Sequence, residues 1–321
     1  MKKIILFICL IILQVNAQEP ERTKEAQIYS TTHNLRKEEI RNMMQKQPFV
    51  LDVILADGKL SGMGFFISND GTALTSYHVV ENAQNIFAPI EGVLYQVEII
   101  GYDEVIDVAA LKVKNFQSHP LQLAKSDPQP QGKVSIFEKK SQIHGKVLQS
   151  SGVNFVSDIL ISQGLSGSPI FCGEVVCGII TSFQKQVQKE QTFEQKVEYK
   201  QAGSIGNAIA TKVTKVAKNL EKMLSGENFK KKKFDFYVMD LQKYDSISLE
   251  NTHNSTQKNL GVLVTHSKDE NLQAWDIITA INSQSVNNVN DLQVITANIY
   301  ANDETIFTVL RGKETITISI P

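Results

Sequence analysis

The chain has no excess of charge of either sign. Its 321 residues include 33 lysines and arginines and 34 aspartates and glutamates. Loss of the first residues on export would remove two lysines and leave the balance near neutral. A near-neutral chain offers no broad basic surface, so we expect no nucleic-acid partner.

Long apolar runs are missing everywhere except at the start. Residues 1–17 combine Lys2 and Lys3 with an apolar stretch, Ile4 to Leu13, and end in small residues at Ala17. This order is typical of a secretory signal peptide, and the stretch is short for a bilayer span. We therefore predict an exported protein, periplasmic or extracellular; an uncleaved anchor is the alternative.

Cysteine is scarce as well. Cys9 lies in the predicted signal peptide, which leaves Cys172 and Cys177 in the exported chain. Export permits a disulfide, but its formation depends on a hairpin register that the sequence leaves open. No histidine is close to either cysteine in sequence, so we predict no metal site and no cofactor.

What the sequence does contain is a serine between glycines, in residues 164–169 (GLSGSP). A serine hydroxyl attacks poorly unless a base takes its proton and backbone donors receive the developing negative charge. Gly164 and Gly167 permit the sharp turn in which the N–H groups of Gly164 and Ser166 could form an oxyanion hole. Most glycine-rich turns only connect strands, so partner residues must decide.

Two such partners precede the serine. His78 lies in residues 75–80 (TSYHVV), and Asp107 directly precedes an apolar run in residues 107–112 (DVAALK). Asp103 is a competing carboxylate, but it lacks this adjacency. The order along the chain is therefore His, Asp, Ser, and an α/β-hydrolase, which needs its acid and histidine after the serine, is set aside.

Four motifs together resemble the trypsin-like serine proteases of the HtrA (Deg) group. They are residues 62–67 (GMGFFI), 75–80 (TSYHVV), 107–112 (DVAALK) and 164–167 (GLSG). The resemblance implies a mainly β protein, with a chymotrypsin-like double β-barrel protease domain followed by a PDZ-like domain. It also implies unfolded or misfolded polypeptides as substrates.

The family mechanism maps onto this chain residue by residue. By resemblance, His78 is the general base, Asp107 orients it, Ser166 is the nucleophile, and the reaction passes through an acyl-enzyme. Gly178, Ile179, Ile180 and Thr181 should line one wall of the substrate pocket. Because these four residues carry no charge, we expect small or medium aliphatic side chains before the scissile bond.

The predicted boundaries divide the chain into five parts. They are a signal peptide (1–17), a helical lead-in (18–48), the protease domain (49–226), a lysine-rich linker (227–233) and the PDZ-like domain (234–321). The lead-in contains an amphipathic pattern over residues 34–47. By resemblance it could serve assembly of a homo-trimer, and a helix that covers a barrel is the equally weighted alternative.

Alternating runs predict the strands of two antiparallel barrels. The first set covers residues 49–56, 60–67, 72–76, 93–101 and 108–112, and the second covers 133–137, 146–149, 154–159, 169–171 and 175–181. Residues 184–201 are predicted to form a surface loop, and residues 203–210 resemble a last strand. A helix should follow, with Thr211 as its cap and Ser225 and Gly226 as its end.

The tail carries the weakest match to the resemblance. A PDZ-like domain binds an extended peptide as an added strand and holds its carboxylate in a glycine-rich loop. No clear loop of this kind lies between Phe234 and Leu260, and Trp275 stands where the family usually has glycine. The resemblance still implies a peptide ligand at the PDZ-like domain. The rival to the whole interpretation is a non-enzymatic binding protein or chaperone on the same fold.

Overall fold

A computed structural model describes residues 48–138, 141–185, 205–241 and 261–321. The predicted signal peptide, the helical lead-in up to residue 47 and most of the predicted loop 184–201 lie outside the described residues. Chain contacts divide the molecule into two units, Met1–Pro48 with Ile136–Ile143, and Phe49–Ser135 with His144–Pro321. The second unit carries all the predicted site residues.

The first barrel is built from six strands and one short helix. These are β1 (Phe49–Ile54), β2 (Lys59–Phe66), β3 (Thr72–Thr75), α1 (Tyr77–Val80), β4 (Asn85–Ile90), β5 (Val93–Asp103) and β6 (Val108–Val113). The strands pair in the order β5-β4-β1-β2-β3-β6, and pairing of β5 with β6 closes the barrel.

Alternation of side chains explains the core of this barrel. In β1, Leu51 and Val53 point inward and are buried, whereas Asp52 between them is exposed. Burying a side chain such as Leu51 stabilises the fold by about 1.5–3 kcal/mol. Because β6 is buried on nearly every residue from Val108 to Val113, it lies between the barrel core and neighbouring elements.

The second barrel follows directly. Its elements are β7 (Lys133–Glu138), β8 (Ser141–Ser151), β9 (Asn154–Ile161), β10 (Pro169–Cys172), β11 (Val175–Lys185) and β12 (Gly206–Lys212). They form a closed barrel in the order β10-β11-β12-β9-β8-β7. The chain then continues through helix α2 (Val213–Leu224) and the short strand β13 (Asn228–Phe229), which pairs in parallel with β5 of the first barrel.

The predicted double-barrel fold is confirmed, with two corrections of detail. Strand β4 was not predicted. Thr211 does not cap helix α2, because the residue before the helix is Lys212 and its side chain makes no capping hydrogen bond. The Thr211 hydroxyl donates instead to the Ile106 carbonyl at 2.9 Å. The helix does end at Ser225 and Gly226, where Gly226 has a φ of 98°.

The tail forms a separate antiparallel sheet. It contains β14 (Phe236–Asp240), β15 (Val262–Ser267), β16 (Ile277–Ile281), β17 (Gln284–Ser285), α3 (Val289–Thr296), β18 (Thr305–Arg311) and β19 (Glu314–Ile320). The strand order is β14-β15-β16-β18-β19, with β17 paired to β16, and Phe307 and Val309 lie in its buried core. We call this part of the chain the tail sheet.

Trp275 in the tail and Lys232 in the predicted linker have unusual surroundings. Trp275, at the expected glycine position, has a φ of 78°, which is a conformation that glycine adopts at little cost. In the lysine run, Lys232 is buried, and its ammonium donates to the carbonyls of Asp303 and Ile320. Two carbonyl acceptors compensate part of the desolvation of this charge.

No helix among the described residues is both long enough and apolar enough to cross a membrane.

Candidate active site

His78 and Asp107 meet at two points. The His78 ring Nδ1–H donates to Asp107 Oδ2 at 2.7 Å, and the His78 backbone N–H donates to Asp107 Oδ1 at 2.8 Å. Both oxygens of one carboxylate therefore fix the same residue, one through its ring and the other through its backbone. This leaves Nε2 as the ring nitrogen that can accept a proton.

The Asp107 carboxylate changes the acidity of the imidazole. Its hydrogen bond raises the pKa of His78 above the ordinary value of 6.5, while partial burial acts in the opposite direction. The raised pKa reflects stabilisation of the imidazolium form, which a general base must adopt after it takes a proton. Because 42% of the His78 side chain is exposed, solvent screens part of this effect.

Helix α1 and the turn before β6 bring the two residues together. His78 is the second residue of α1, which begins where β3 ends. Asp107 is the last residue of the turn between β5 and β6 and has a φ of 55°, a left-handed conformation that aspartate tolerates. The Asp107 carbonyl also accepts from the Tyr77 N–H at 3.2 Å, so the turn is bound to the helix start.

A tyrosine pair covers this side of the site. The rings of Tyr77 and Tyr102 stack with centroids 4.3 Å apart. Burial, followed by the nearby Tyr102, raises the pKa of the Tyr77 phenol above its ordinary value of 10. Tyr77 precedes His78 directly, so this stack helps to fix the helix that carries the imidazole.

The turn that carries Ser166 is bound to the first barrel. The Met63 N–H donates to the Ser166 carbonyl at 2.8 Å. Gly167 has a φ of 89°, and a Cβ there would overlap the Met63 carbonyl and the Thr75 hydroxyl. Only glycine fits this close approach, which places the serine turn beside the end of β3, three residues before His78.

A single carbonyl group of β11 accepts hydrogen bonds from both the serine turn and the segment that precedes α1. The Ile180 carbonyl accepts from the Gly167 N–H at 2.7 Å and from the Ser76 hydroxyl at 2.7 Å. Ser76 precedes α1 by one residue and makes no side-chain cap for that helix. Its hydroxyl instead links the histidine segment to the second barrel. No motif in the sequence indicated this role of Ser76.

The proposed oxyanion donors are the backbone N–H groups of Gly164 and Ser166. Gly164 has a φ of 92°, and the turn after it is closed by a bond from the Ser168 N–H to the Leu165 carbonyl at 3.0 Å. Among the described residues, the N–H groups of Gly164 and Ser166 have no hydrogen-bond acceptor. Backbone N–H groups without an acceptor, on the nucleophile and two residues before it, are the feature that an oxyanion hole needs.

Within the described part of the chain, no hydrogen bond joins the Ser166 hydroxyl to the His78 ring. Hydrogen bonds between a nucleophile and its base are often long in enzymes without substrate and shorten when substrate is bound. The structure therefore joins His78 and Asp107 directly, and it joins Ser166 to the same region through backbone contacts.

The predicted substrate wall is mostly buried. Gly178, Ile179 and Ile180 are buried within β11, and Thr181, at an irregularity in the pairing with β12, is partly exposed. Of the four predicted wall residues, Thr181 is thus the one whose side chain reaches solvent. The buried neighbours fix the strand on which it lies.

Cys172 and Cys177 form a disulfide. Cys172 ends β10 and Cys177 lies in β11, with their Cα atoms 5.6 Å apart. The bond joins the hairpin that lies between the serine turn and the substrate wall. The register that the sequence left open therefore brings the two side chains face to face.

Two further features of the site concern the Ser168 hydroxyl and groups of side chains that could bind a metal ion. The Ser168 hydroxyl is buried and has no hydrogen-bond partner among the described residues. Within the same part of the chain, no group of three or more His, Cys, Asp or Glu side chains is placed to hold a metal ion.

The family comparison agrees with this geometry. Residues 62–179 match the family model of the trypsin-like peptidase domain, a span that includes His78, Asp107 and Ser166. Residues 62–179 are thus similar to the class of trypsin-like peptidase domains, and the two closed barrels give the chain a chymotrypsin-like fold.

Within that class, the chain is similar to serine proteases of the HtrA and DegP type, as its motifs predicted. It is 27% identical to Serine protease HTRA1 of Xenopus tropicalis over 293 residues, which cover 81% of this chain and 59% of the relative. It is 24% identical to a probable periplasmic serine endoprotease, DegP-like, of Chlamydia trachomatis over 283 residues, which cover 81% of this chain and 53% of the relative. The chain thus spans a little over half the length of these relatives.

Solved structures show the same fold. The HtrA-type protease AlgW with tripeptide superposes with a TM-score of 0.57 at 17% identity, covering 87% of this chain and 95% of that one. The serine endoprotease from Yersinia pestis gives a TM-score of 0.53 at 18% identity, covering 88% and 96% of the two chains.

Proposed function

We propose that the mature chain is an exported serine endopeptidase that cleaves unfolded or misfolded polypeptides. The observation that carries the proposal is the two-point contact between His78 and Asp107 beside the bound turn of Ser166. Such a pair turns an ordinary imidazole into an oriented base. The similarity to HtrA and DegP serine proteases supports the same assignment.

The proposed reaction has two halves. In the first, His78 Nε2 takes the Ser166 proton as the hydroxyl oxygen attacks the peptide carbonyl, and the N–H groups of Gly164 and Ser166 receive the negative charge. The imidazolium then protonates the leaving amine, and the acyl-enzyme remains. In the second half, water deprotonated by His78 attacks the ester and releases the acid and the Ser166 hydroxyl.

The test compares cleavage of casein by the purified mature chain and by Ser166→Ala. We expect the parent to cleave casein and to react covalently with a fluorophosphonate, and Ser166→Ala to do neither. Ser168→Ala is the matched control, because its buried hydroxyl has no partner and its loss removes no interaction. Ser168→Ala should therefore cleave and label at the parent rate.

The second candidate is a chaperone or peptide-binding protein that cleaves slowly or not at all. The missing hydrogen bond between Ser166 and His78 in the described residues favours this candidate. Equal and negligible cleavage by the parent chain and Ser166→Ala would support it, provided that both suppress the aggregation of unfolded casein.

We propose the specificity for the side chain before the scissile bond from the predicted substrate wall, residues 178–181. Residues 178–181 carry no charge, and Thr181 is their solvent-facing member. A pocket without a buried charge favours small or medium aliphatic side chains over Arg or Lys. A peptide library that shows Arg or Lys before the scissile bond would contradict this proposal.

The tail sheet is proposed to be a PDZ-like domain that binds a peptide. Strand β14 is an edge strand of the described sheet, so its outer backbone groups can pair with an added strand. Asp240 at its end accepts from the first N–H of α3 at 2.7 Å, which brings that helix beside the edge. Titration with synthetic C-terminal peptides would measure the binding.

Export and assembly are proposed on separate grounds. The disulfide supports an oxidising compartment, and one relative is named as periplasmic. Export would be tested by expressing the full chain and measuring whether it is secreted and cleaved after residue 17. The homo-trimer rests on resemblance alone, and light scattering of the purified mature chain would decide it.

A further inference from the structure

Asp103 has surroundings that the catalytic assignment does not explain. The residue ends β5 four positions before Asp107, and its side chain is fully buried. Among the described residues, no lysine, arginine or histidine forms an ion pair with it. A buried carboxylate is costly unless hydrogen bonds compensate its lost hydration, so its acceptor contacts indicate what it does.

The two oxygens of Asp103 face different parts of the molecule. Oδ1 accepts from the backbone N–H groups of Val105 at 3.0 Å and Ile106 at 3.3 Å. Oδ2 accepts from the side-chain amide of Asn219 in α2 at 2.8 Å and from the Tyr300 hydroxyl at 3.0 Å. One oxygen therefore fixes the turn that leads to Asp107, and the other is fixed by α2 and the tail.

Tyr300 is held in place to donate. Its ring meets Phe229 of β13 edge to face, with centroids 6.2 Å apart. Burial and the charge of Asp103 raise the pKa of the Tyr300 phenol above its ordinary value of 10, so it stays a protonated donor. A donor of this kind is needed because no cation in the described ranges pairs with Asp103.

The same turn has a second connection to the segment after α2. The Glu104 N–H donates to the Phe229 carbonyl at 2.9 Å, and the Glu104 carboxylate accepts from the Lys231 N–H at 2.9 Å. The turn thus has a side-chain connection through Asp103 and a backbone connection through Glu104. Asp107, at a positive φ, needs such support to keep its orientation.

We propose that Asp103 is a positioning residue for the catalytic acid, and that the Tyr300 hydroxyl completes its set of donors. Asp103 fixes the turn so that the Asp107 carboxylate faces His78. The inference rests on the proposed proteolytic function, and it adds two residues, one of them from the tail, to those on which the reaction depends.

The test uses the full mature chain with Tyr300→Phe and Asp103→Asn, and measures the kcat and KM of casein cleavage per titrated active site. Tyr300→Phe removes one hydrogen bond to a charged group, and we expect kcat to fall about 3- to 10-fold with KM unchanged. Asp103→Asn removes the negative charge and replaces one acceptor oxygen by an NH2 donor, and the loss of kcat should be on the order of 10- to 100-fold. The matched control is Tyr95→Phe, whose ring packs on Phe116 away from the turn and which should keep the parent kcat.

Two further readouts separate positioning from simple loss of stability. If Asp107 moves, His78 loses part of its carboxylate contact, so the acid limb of kcat/KM and the NMR pKa of His78 should both shift to lower pH. The chain has six histidines, and His78→Gln assigns the signal. A purely structural role would lower the melting temperature and leave these values unchanged.

The outcomes are distinct. Parent values of kcat and of the His78 pKa in Tyr300→Phe would overturn the proposal, as would a change in KM alone. If Asp103→Asn does not fold, Tyr300→Phe decides by itself. If the parent chain shows no Ser166-dependent cleavage, the proteolytic function fails, and the NMR titration still decides whether Asp103 and Tyr300 position Asp107.

Discussion

At the scale of single residues, the contact between His78 and Asp107 should control the pH dependence of the proposed proteolysis. The Asp107 carboxylate raises the pKa of His78, and a general base works only in its neutral form. The rate should therefore rise with pH through a pKa above 6.5 and be lost below it. The pH profile of kcat/KM for peptide cleavage measures this limb.

Removal of the carboxylate charge tests the cause of that shift. Asp107→Asn should lower kcat by about 10⁴-fold, because an amide favours the wrong imidazole tautomer. Its residual activity should have an acid limb at lower pH than the parent, because the imidazolium loses its anionic partner. An unchanged limb would show that another group titrates in this range. Asp52→Asn, an exposed change on β1, is the control.

Alanine substitutions at two glycines of the serine turn should distinguish the cost of backbone strain from the cost of steric overlap. Gly164 and Gly167 have nearly the same φ, but a Cβ on Gly164 would meet nothing within 4 Å, whereas one on Gly167 would overlap Met63 and Thr75. Gly164→Ala should cost about 1–2 kcal/mol of unfolding free energy. Gly167→Ala should cost about 2–5 kcal/mol because crowding adds to the same strain. Urea denaturation measures both, and equal losses would contradict the predicted overlap.

Sequence motifs singled out the candidate site residues because each residue type has a local chemical requirement. His78, Asp107 and Ser166 stand in short segments with glycines and apolar runs on defined sides, and the peptidase-domain match covers all three. Asp103 and Tyr300 were not readable in this way. They are 197 residues apart in the chain, and their contact exists only after folding.

At the scale of elements, the disulfide between β10 and β11 closes a short loop. The two cysteines are five positions apart, so the closed loop is small and the chain-entropy model gives about 2 kcal/mol of stabilisation. The double variant Cys172→Ala with Cys177→Ala should lose this amount in urea denaturation and keep the fold. Parent protein under reducing conditions should show the same loss, and a loss of secondary structure would contradict it.

The elements themselves were predictable to different degrees. Strands with clear alternation, such as β1 and β9, were predicted close to their observed bounds. Strand β4 was missed because Asn85 and Pro89 interrupt its short apolar pattern. The wrong cap at Thr211 has a tertiary cause, since its hydroxyl bonds Ile106 and Asn154 across the molecule in preference to the helix start.

At the scale of the whole molecule, the segment predicted as a linker makes contacts on both sides. Strand β13 pairs with β5, Lys231 bridges to Tyr300, and the Ala301 N–H donates to the Lys230 carbonyl at 2.8 Å. The four consecutive lysines, residues 230–233, led to the prediction of a linker, because a sequence shows charges but not the carbonyls that accept from them. A short series of backbone hydrogen bonds therefore connects the turn between β5 and β6, which ends at Asp107, to the tail sheet.

Phe229 lies at the centre of that path, and its removal should loosen the turn. Phe229→Ala removes the ring that meets Tyr300 and Lys222, so the backbone bond to Glu104 loses its support. We expect faster amide hydrogen exchange at residues 104–106, measured by mass spectrometry of a peptide that covers the turn. Phe234→Ala, which removes a ring that packs on Phe307 inside the tail sheet, is the control and should leave this peptide protected. Unchanged exchange in Phe229→Ala would show that β5 and β6 hold the turn without the segment after α2.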